Sequence, residues 1–346
     1  MSLRDIARLS NVSISTVSKA LSGTGTISAE TRKRIQAVAD QMRYRPSQAA
    51  RTLATGRREA IGFVSEEGYG PTQEWTLRTL FGLTRALEER GYHTMLFYRE
   101  PSEKVLPSMV LRRSVDGVVL DTRWATGLLE HLEEIGIPFV SANALEEVQG
   151  DAVFPDDAHA ARIATEHLLA LGHRRIAYVC ARTPHIQWIH AKRWSGFVEA
   201  MSRAGLAANP GGGELATYDE LVERELARDS RPTALVCFDD EDAGQIMQRL
   251  KARGIRVPED MSVVGQNDMD FCRWLEPALT TVKLPFEEVG AEAGKMVLER
   301  IETPERLARQ VLLKGELVVR GSTAPPRETW GAYARSGAGK EVVIDS

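Results

Sequence analysis

The sequence predicts an α/β protein in two unequal parts: a small all-α head, and a larger body of two lobes, each built on a doubly wound parallel sheet. Three observations carry that prediction. Formal charge divides sharply near Arg57-Arg58: residues 1 to 58 hold eleven Lys or Arg against three acids, a net of +8, so the remainder must hold −12 to give the total of −4. Apolar residues in the head recur at helical spacing in three short stretches. Beyond Glu59, short apolar runs alternate with amphipathic stretches at intervals of roughly 25 to 35 residues, the pattern of strand-helix-strand units. A length of 346 residues accommodates two or three domains, and 43% hydrophobic against 27% charged residues excludes a disordered chain.

In the head, Ser2 precedes Leu3, Ile6 and Ala7, with Asp5 placed to complete a capping box. Asn11 follows, a residue that tolerates the left-handed turn a tight helix connection requires. Ser13 caps a second helix, Ile14 to Leu21, whose inner side is Val17, Ala20 and Leu21 and whose outer side is Ile14, Ser15, Ser18 and Lys19. Ser28 caps a third helix through Met42, with Ile35, Val38, Ala39 and Met42 in one stripe. This is a helix-turn-helix module, and its second helix fits a DNA major groove. Gly23 and Gly25 do not form a phosphate loop, because no strand precedes them and no GK[ST] follows. The head has one aromatic, Tyr44, so stacking on single strands is not expected. Pro46 then fits a helix start and Gly56 a stop, with Ala49, Ala50 and Leu53 on one face. A helix this short is marginal in water by itself, and an ordinary linker is the other reading.

In the body, Ile61 to Val64, Thr94 to Tyr98, Gly117 to Leu120, Pro138 to Val140, Ile176 to Cys180, Ala234 to Phe238 and Ser262 to Gly265 read as strands, with helices such as Trp75 to Arg90 and Leu128 to Ile135 between them. A ligand cleft belongs at the carboxyl ends of such strands. Catalysis is not expected: the seven His are dispersed, no GxSxG or Walker loop occurs, and the adjacent acids Glu66-Glu67 and Asp239-Asp240 diverge. Gly211-Gly212-Gly213 reads as a turn. Cys180, Cys237 and Cys272 are widely spaced and read as packing residues, with no metal site and no cofactor implied. No apolar run reaches the roughly 18 residues of a membrane span and no signal-peptide pattern opens the chain, so a cytoplasmic protein without membrane contact is expected.

Asp5-Ile6-Ala7, Val12-Ser13, Thr16-Val17-Ser18-Lys19-Ala20-Leu21-Ser22-Gly23, Ser28-x-x-Thr31-Arg32 and Tyr44-Arg45-Pro46 together resemble the opening of the LacI/GalR family of bacterial transcription regulators. The likeness continues through Glu166-His167-Leu168-x-x-Leu171-Gly172-His173-Arg174-Arg175-Ile176-Ala177, Arg193-x-x-Gly196-Phe197, Pro232-Thr233-Ala234, Val257-Pro258-x-Asp260, Leu279-Thr280-Thr281-Val282 and Arg320-Gly321-Ser322-Thr323. The resemblance implies a helix-turn-helix DNA-binding domain over 1–46, a hinge helix and linker over 47–58, and a periplasmic-binding-protein-like sensor over 59–323. Its amino lobe would hold about 59–156 and 285–313, its carboxyl lobe about 157–284 and 314–323, with a tail at 324–346. The chain would cross between lobes near Asp156, Leu284 and Lys314.

By the same resemblance Ile14, Ser15 and Lys19 touch base edges, Thr16 and Ser18 touch phosphate, and the hinge pairs over Ala50 and inserts Leu53 into the minor groove. Lys19 stands where the family commonly has Arg, replacing a bidentate fork with a point-charge donor. Arg193, Asn143 and Phe154 map onto effector contacts. Asp239-Asp240 replaces a common Asn-Asp and Gln266-Asn267-Asp268 a common Phe-Asp-Asp, so Asp239 and Asn267 exchange an acid and an amide across the cleft. Glu66, Glu67, Tyr69, Gln73 and Trp188 are weaker candidates or ordinary rim residues.

The function implied is a homodimeric, ligand-responsive regulator on a pseudo-palindromic operator, a repressor of carbohydrate-use genes with a sugar in the cleft. A nucleobase or nucleoside sensor, or a partner of a protein corepressor, is the alternative. The helix from Trp75, with Leu80 and Phe81, is either a dimer surface or core. The tail lacks Leu heptads, so no tetramerising coiled coil is expected.

Overall fold

A computed structural model of the chain describes residues 2–21, 25–42, 44, 57–66, 74–99, 110, 112–121, 128–143, 150–180, 187–210, 217–228 and 231–327. The head is three helices, α1 Leu3–Leu9, α2 Ile14–Leu21 and α3 Ala29–Gln41. Their starts follow from the capping residues. The Asp5 carboxylate accepts the Ser2 amide at 3.0 Å, Ser13 Oγ accepts the Thr16 amide at 3.1 Å, and Ser28 Oγ accepts the Thr31 amide at 3.2 Å. Asn11 adopts φ 50° at the interhelical turn, the left-handed conformation its short polar side chain tolerates. Ile6, Ala7, Val17, Ala20, Ile35 and Ala39 close into one small core, and Tyr44 packs against it. The Arg32 guanidinium donates to the Ala20 carbonyl at 3.1 Å, placing a cation at the carboxyl end of α2.

The body holds two six-stranded sheets. The first has β1 Ala60–Glu66, β2 His93–Arg99, β3 Gly117–Asp121, β4 Phe139–Ala142, β5 Ala152–Pro155 and β11 Gln310–Leu313, in the order β11-β5-β4-β3-β1-β2 and parallel throughout. The second has β6 Ile176–Val179, β7 Asn209–Pro210, β8 Ala234–Cys237, β9 Ser262–Asn267, β10 Thr280–Lys283 and β12 Glu316–Val318, in the order β12-β10-β9-β8-β6-β7. There β12 alone runs antiparallel to its neighbour. Helices α4 Glu74–Glu88, α5 Leu128–Glu134 and α10 Phe286–Glu302 belong to the first lobe; α6 Asp157–Ala170, α7 Gln187–Arg203, α8 Tyr218–Ala227 and α9 Asp240–Ala252 belong to the second. The chain passes between the sheets after Pro155, after Lys283 and after Leu313.

Helices cover both faces of these sheets, so strand residues are buried on either side, as parallel sheets require. Ile61, Phe63, Val119 and Val140 meet Leu83, Leu87, Val289 and Met296 on one face of the first sheet, while Val64, Val118 and Leu120 pack on the other. In the second lobe Tyr178, Phe197, Val236, Ile246 and Val263 form the centre. Close backbone approach sets the helix pairs. A Cβ on Gly82 would lie 1.8 Å from the Glu287 carbonyl oxygen, one on Gly290 would lie 1.9 Å from that of Thr79, and one on Gly196 would lie 1.9 Å from that of Ala158.

The structure adds five strands to those expected. Strands β5, β7, β10, β11 and β12 are short or at an edge and lack a long apolar run; Gln310–Leu313 alternates exposed with half-buried residues. Pro210 is tolerated in β7 because an edge strand need not donate from every position. Phe154, expected at the first lobe crossing, is the penultimate residue of β5, and the chain leaves the first sheet one residue later. Leu80 and Phe81, read as either a dimer surface or core, are split: Leu80 packs on the core beside Leu83, whereas Phe81 is 66% exposed. The three cysteines are buried and free.

Candidate functional site

The outer face of α2 presents Ile14, Ser15 and Lys19 to solvent, with Ile14 45% exposed. Val17 and Ala20 are buried beneath them, so helix rotation is set by the core. Thr16 and Ser18 are half-buried at its flanks, and Thr16 Oγ1 lies 2.8 Å from Ser13 Oγ. Lys19 is extended over Gly25, whose added Cβ would lie 3.1 Å from Lys19 Cδ. Ala50 and Leu53 lie outside the described residues, as do Glu67, Tyr69 and Gln73 and the side chain of Glu66.

A second polar cluster lies at the carboxyl ends of the two sheets. In the first lobe, Asn143 Nδ2 donates to Thr79 Oγ1 and to Asp121 Oδ1, both at 2.8 Å. Burial pushes the Asp121 carboxyl up to about 7, against the hydrogen bonds from Asn143 and Thr76. Ser65 Oγ, Asp121 Oδ2 and Asn143 Oδ1 are buried there without a hydrogen-bond partner among the described residues, as is Ser141 Oγ, which strand alternation between Val140 and Ala142 turns to the other face of the sheet. Orphaned buried oxygens are uncommon in folded proteins, which makes these strand ends a candidate site.

In the second lobe Arg193 is buried at the centre of a web. Nε donates to Asp157 Oδ1 at 2.7 Å, Nη2 to Asn267 Oδ1 at 3.1 Å and Nη1 to the Phe238 carbonyl, with the guanidinium 4.6 Å above the Phe238 ring. Burial is the largest single influence and opposes its charge, but Asp157, Tyr178 and Asp239 together outweigh it and hold the pKa above the ordinary value. A guanidinium carries five N–H groups, so the three bonds leave two without an acceptor among the described residues. Asp239 accepts the Asp242 amide at 2.8 Å as the cap of α9. Its neighbour Asp240 turns inward, accepting the Met269 amide at 2.9 Å and the Thr281 hydroxyl, with its carboxyl raised by burial to about 6. Gln266 is buried and donates to the Cys237 carbonyl at 3.1 Å, its Oε1 unpartnered among the described residues. Asn143, Asn267 and Asp268 adopt φ of 51°, 117° and 56°, left-handed backbone at the strand ends that small polar residues accept at least cost. Phe154 and Trp188 meet edge to face across the lobes, with centroids 5.7 Å apart and planes at 86°.

The structure thus brings Arg193 and Asn267 into direct contact, places Asp239 beside them and sets Asn143 and Phe154 on the facing lobe. Sequence reasoning missed Asp121, Thr79, Asp157 and Gln266. Asp121 directly follows the apolar run Gly117 to Leu120, and strand-end position alone was a usable signal for it; nothing local distinguishes Asp157 from Asp156. The Ser262–His173 contact at 3.2 Å carries no hydrolytic geometry. Both residues are buried and bond to the Ala324 carbonyl, and His173 Nδ1 faces Thr233.

Two stretches of the chain match known families. Residues 2–47 match the family described as bacterial regulatory proteins, lacI family, and residues 165–323 match a periplasmic binding protein-like domain. An HTH-type transcriptional repressor PurR of Vibrio campbellii is 29% identical over 336 residues, covering 92% of this chain and 98% of its own. A LacI transcriptional regulator from a Rhodococcus species is 30% identical with TM-score 0.65, over 77% of this chain and 98% of its own. A LacI family regulator from Enterococcus faecium, solved with bound ribose, is 28% identical with TM-score 0.64, over 78% and 100%. A basic helix-turn-helix head, a two-sheet sensor with a polar cluster at its strand ends and these matches lead to one conclusion: the chain belongs to the LacI family of bacterial transcription regulators.

Proposed function

We propose that the chain is a cytoplasmic, homodimeric repressor of carbohydrate-use genes, which binds a pseudo-palindromic operator through paired heads and releases or grips it according to a sugar held between its lobes. The observation that carries the effector class is the complementarity of the cluster: buried oxygens of Asp121, Asn143 and Ser65, unpartnered among the described residues, would accept hydroxyl donors, and the two remaining N–H groups of Arg193 would donate to hydroxyl oxygens. The relative from Enterococcus faecium that holds ribose supports the same class. A nucleobase needs a flat slot between parallel faces, whereas the rings of Phe154 and Trp188 stand at 86°. That corner suits the CH surface of a sugar.

Two heads related by a twofold axis require two half-sites, and Ile14, Ser15 and Lys19 would read them while Thr16 and Ser18 contact phosphate. Exposed Phe81 on α4, with exposed Leu96 and Tyr98 on the edge strand β2, supports pairing through the first lobe. Ala50 and Leu53 are assigned to the minor groove on the sequence pattern. A thermal-shift panel of neutral sugars, sugar phosphates and nucleosides tests the effector class. A neutral sugar should raise the melting temperature in proportion to the logarithm of its concentration. Stabilisation by a nucleoside and by no carbohydrate would replace the sugar with the rival effector.

A further inference from the structure

At the end of the first sheet opposite the polar cluster, the chain enters the sensor through Arg57, Arg58 and Glu59. The Arg58 amide donates to both Asp116 oxygens at 2.9 Å and the Glu59 amide donates to Asp116 Oδ2 at 2.8 Å. Two consecutive amides converging on one carboxylate form a nest, and such charge-assisted bonds are about twice as strong as neutral ones. The Arg58 guanidinium adds an ion pair at 3.9 Å, and the Asp116 side chain is only 8% exposed. Around it the Asp116 amide donates to the Ala60 carbonyl and the His93 amide to the Glu59 carbonyl, both at 2.8 Å, while buried Tyr92 hydrogen-bonds Arg57. Glu59 itself has φ 53°, a left-handed backbone that a residue with a Cβ adopts only where its surroundings hold it.

These contacts sit on the last residues before β1 and immediately before β3, so a shift of the first lobe moves Arg58 with it. We propose that Asp116 is a positioning residue for DNA binding: its carboxylate rigidly joins the DNA-reading head's linker to the sensor, so that lobe movement and operator grip report to each other. The assignment rests on the DNA-reading function proposed above.

The test uses the full chain and a duplex that the wild-type chain selects from a randomised pool. All six Trp lie beyond residue 58, so tryptophan fluorescence melting reports the sensor alone. Duplex binding to wild type should raise the sensor's melting temperature, because the two parts are joined. In Asp116→Ala that rise should vanish and duplex affinity should fall about tenfold, a loss of about 1.4 kcal/mol. Asp116→Asn, which retains shape and one acceptor oxygen, should lie between. The control Asp219→Asn, on the distant surface of the second lobe, should leave both readouts unchanged. An undiminished duplex-induced rise in the two Asp116 variants overturns the role of Asp116, as does failure of both to fold, which would make the residue a stability element only. A wild-type chain that selects no duplex overturns the DNA-reading function itself, and the inference falls with it.

Discussion

Arg78 of the first lobe reaches Asp270 of the second at 3.3 Å, across 192 residues of sequence, and Glu74 on the same helix turn pairs with Arg78 while accepting the Asp270 amide at 2.9 Å. This three-residue latch spans the lobes beside the cleft. Asp270 is 59% exposed, so solvent screens the pair and its worth to folding is under about 1 kcal/mol. Its leverage is on the angle between the lobes. Asp270→Ala should leave the melting temperature nearly unchanged yet enlarge the radius of gyration of the ligand-free chain in small-angle scattering; identical scattering curves would show that the latch does not hold the lobes.

Asp121 makes stability depend on pH with a particular sign. Its carboxyl is raised from 3.8 to about 7 in the folded chain, so between those values the native state binds more protons than the unfolded state. Stability from this group is full below pH 4 and is lost as pH rises to about 7, at up to about 1.4 kcal/mol per pH unit. Asp240, raised to about 6, acts in the same direction over a narrower window. Asp121→Asn should therefore raise the melting temperature at pH 8 and flatten its decline between pH 5 and 7. A melting profile parallel to wild type would remove Asp121 as the source.

Arg193 holds Asp157, Asn267 and the Phe238 carbonyl together. Removing one partner of a buried ion pair leaves the other charge stranded, at a cost of about 3 to 5 kcal/mol. Arg193→Ala should lower the chemical-denaturation free energy by that amount and abolish sugar binding. Arg193→Lys should retain most stability but lose affinity, because an ammonium cannot serve three fixed acceptors and still offer a fork to a ligand. Unimpaired binding by the Lys variant would place the sugar elsewhere.

On the head, Lys19→Ala should weaken selected-duplex binding about tenfold, and Lys19→Arg should shift preference toward guanine, both read by competition binding at fixed salt. Leu53→Ala should weaken selected but not random duplex while leaving sensor melting intact. Equal loss on both duplexes would assign Leu53 to a nonspecific role.

Gly290 tests the packing of α4 on α10. A methyl group there would lie 1.9 Å from the Thr79 carbonyl oxygen, on the same helix whose Thr79 hydroxyl accepts from Asn143. Gly290→Ala should destabilise the chain by about 3 kcal/mol and reduce sugar affinity together, since separating the helices also withdraws Thr79. Calorimetry showing lost stability with intact affinity would uncouple the two.

The head was legible in the sequence because local rules suffice for it. Ser2, Ser13 and Ser28 cap where their spacing says, Asn11 turns left-handed, and the stripe of Ile35, Val38 and Ala39 faces inward. The main strands of the body were legible for a related reason: a strand buried on both faces must be apolar throughout, as Gly117 to Leu120 is. Edge strands such as Gln310–Leu313 escape that requirement and leave no comparable trace.

The sequence by itself determined the division between a basic reader and an acidic sensor, because charge is a property of composition and needs no fold to be counted. It also determined which residue types are available to each part. Only the tertiary structure decided their roles. Asp239 and Asp240 are neighbours in the chain, yet one caps a helix beside the cleft and the other is buried under β9 against Met269 and Thr281. Asp121, Asn143 and Thr79 are joined by hydrogen bonds although they are scattered over more than sixty residues, as the separation of 64 between Asn143 and Thr79 shows. Hydrogen-bond partnership and burial, which set each acid's charge and each amide's orientation, depend on contacts between distant segments, and those exist only once the two sheets have formed and met.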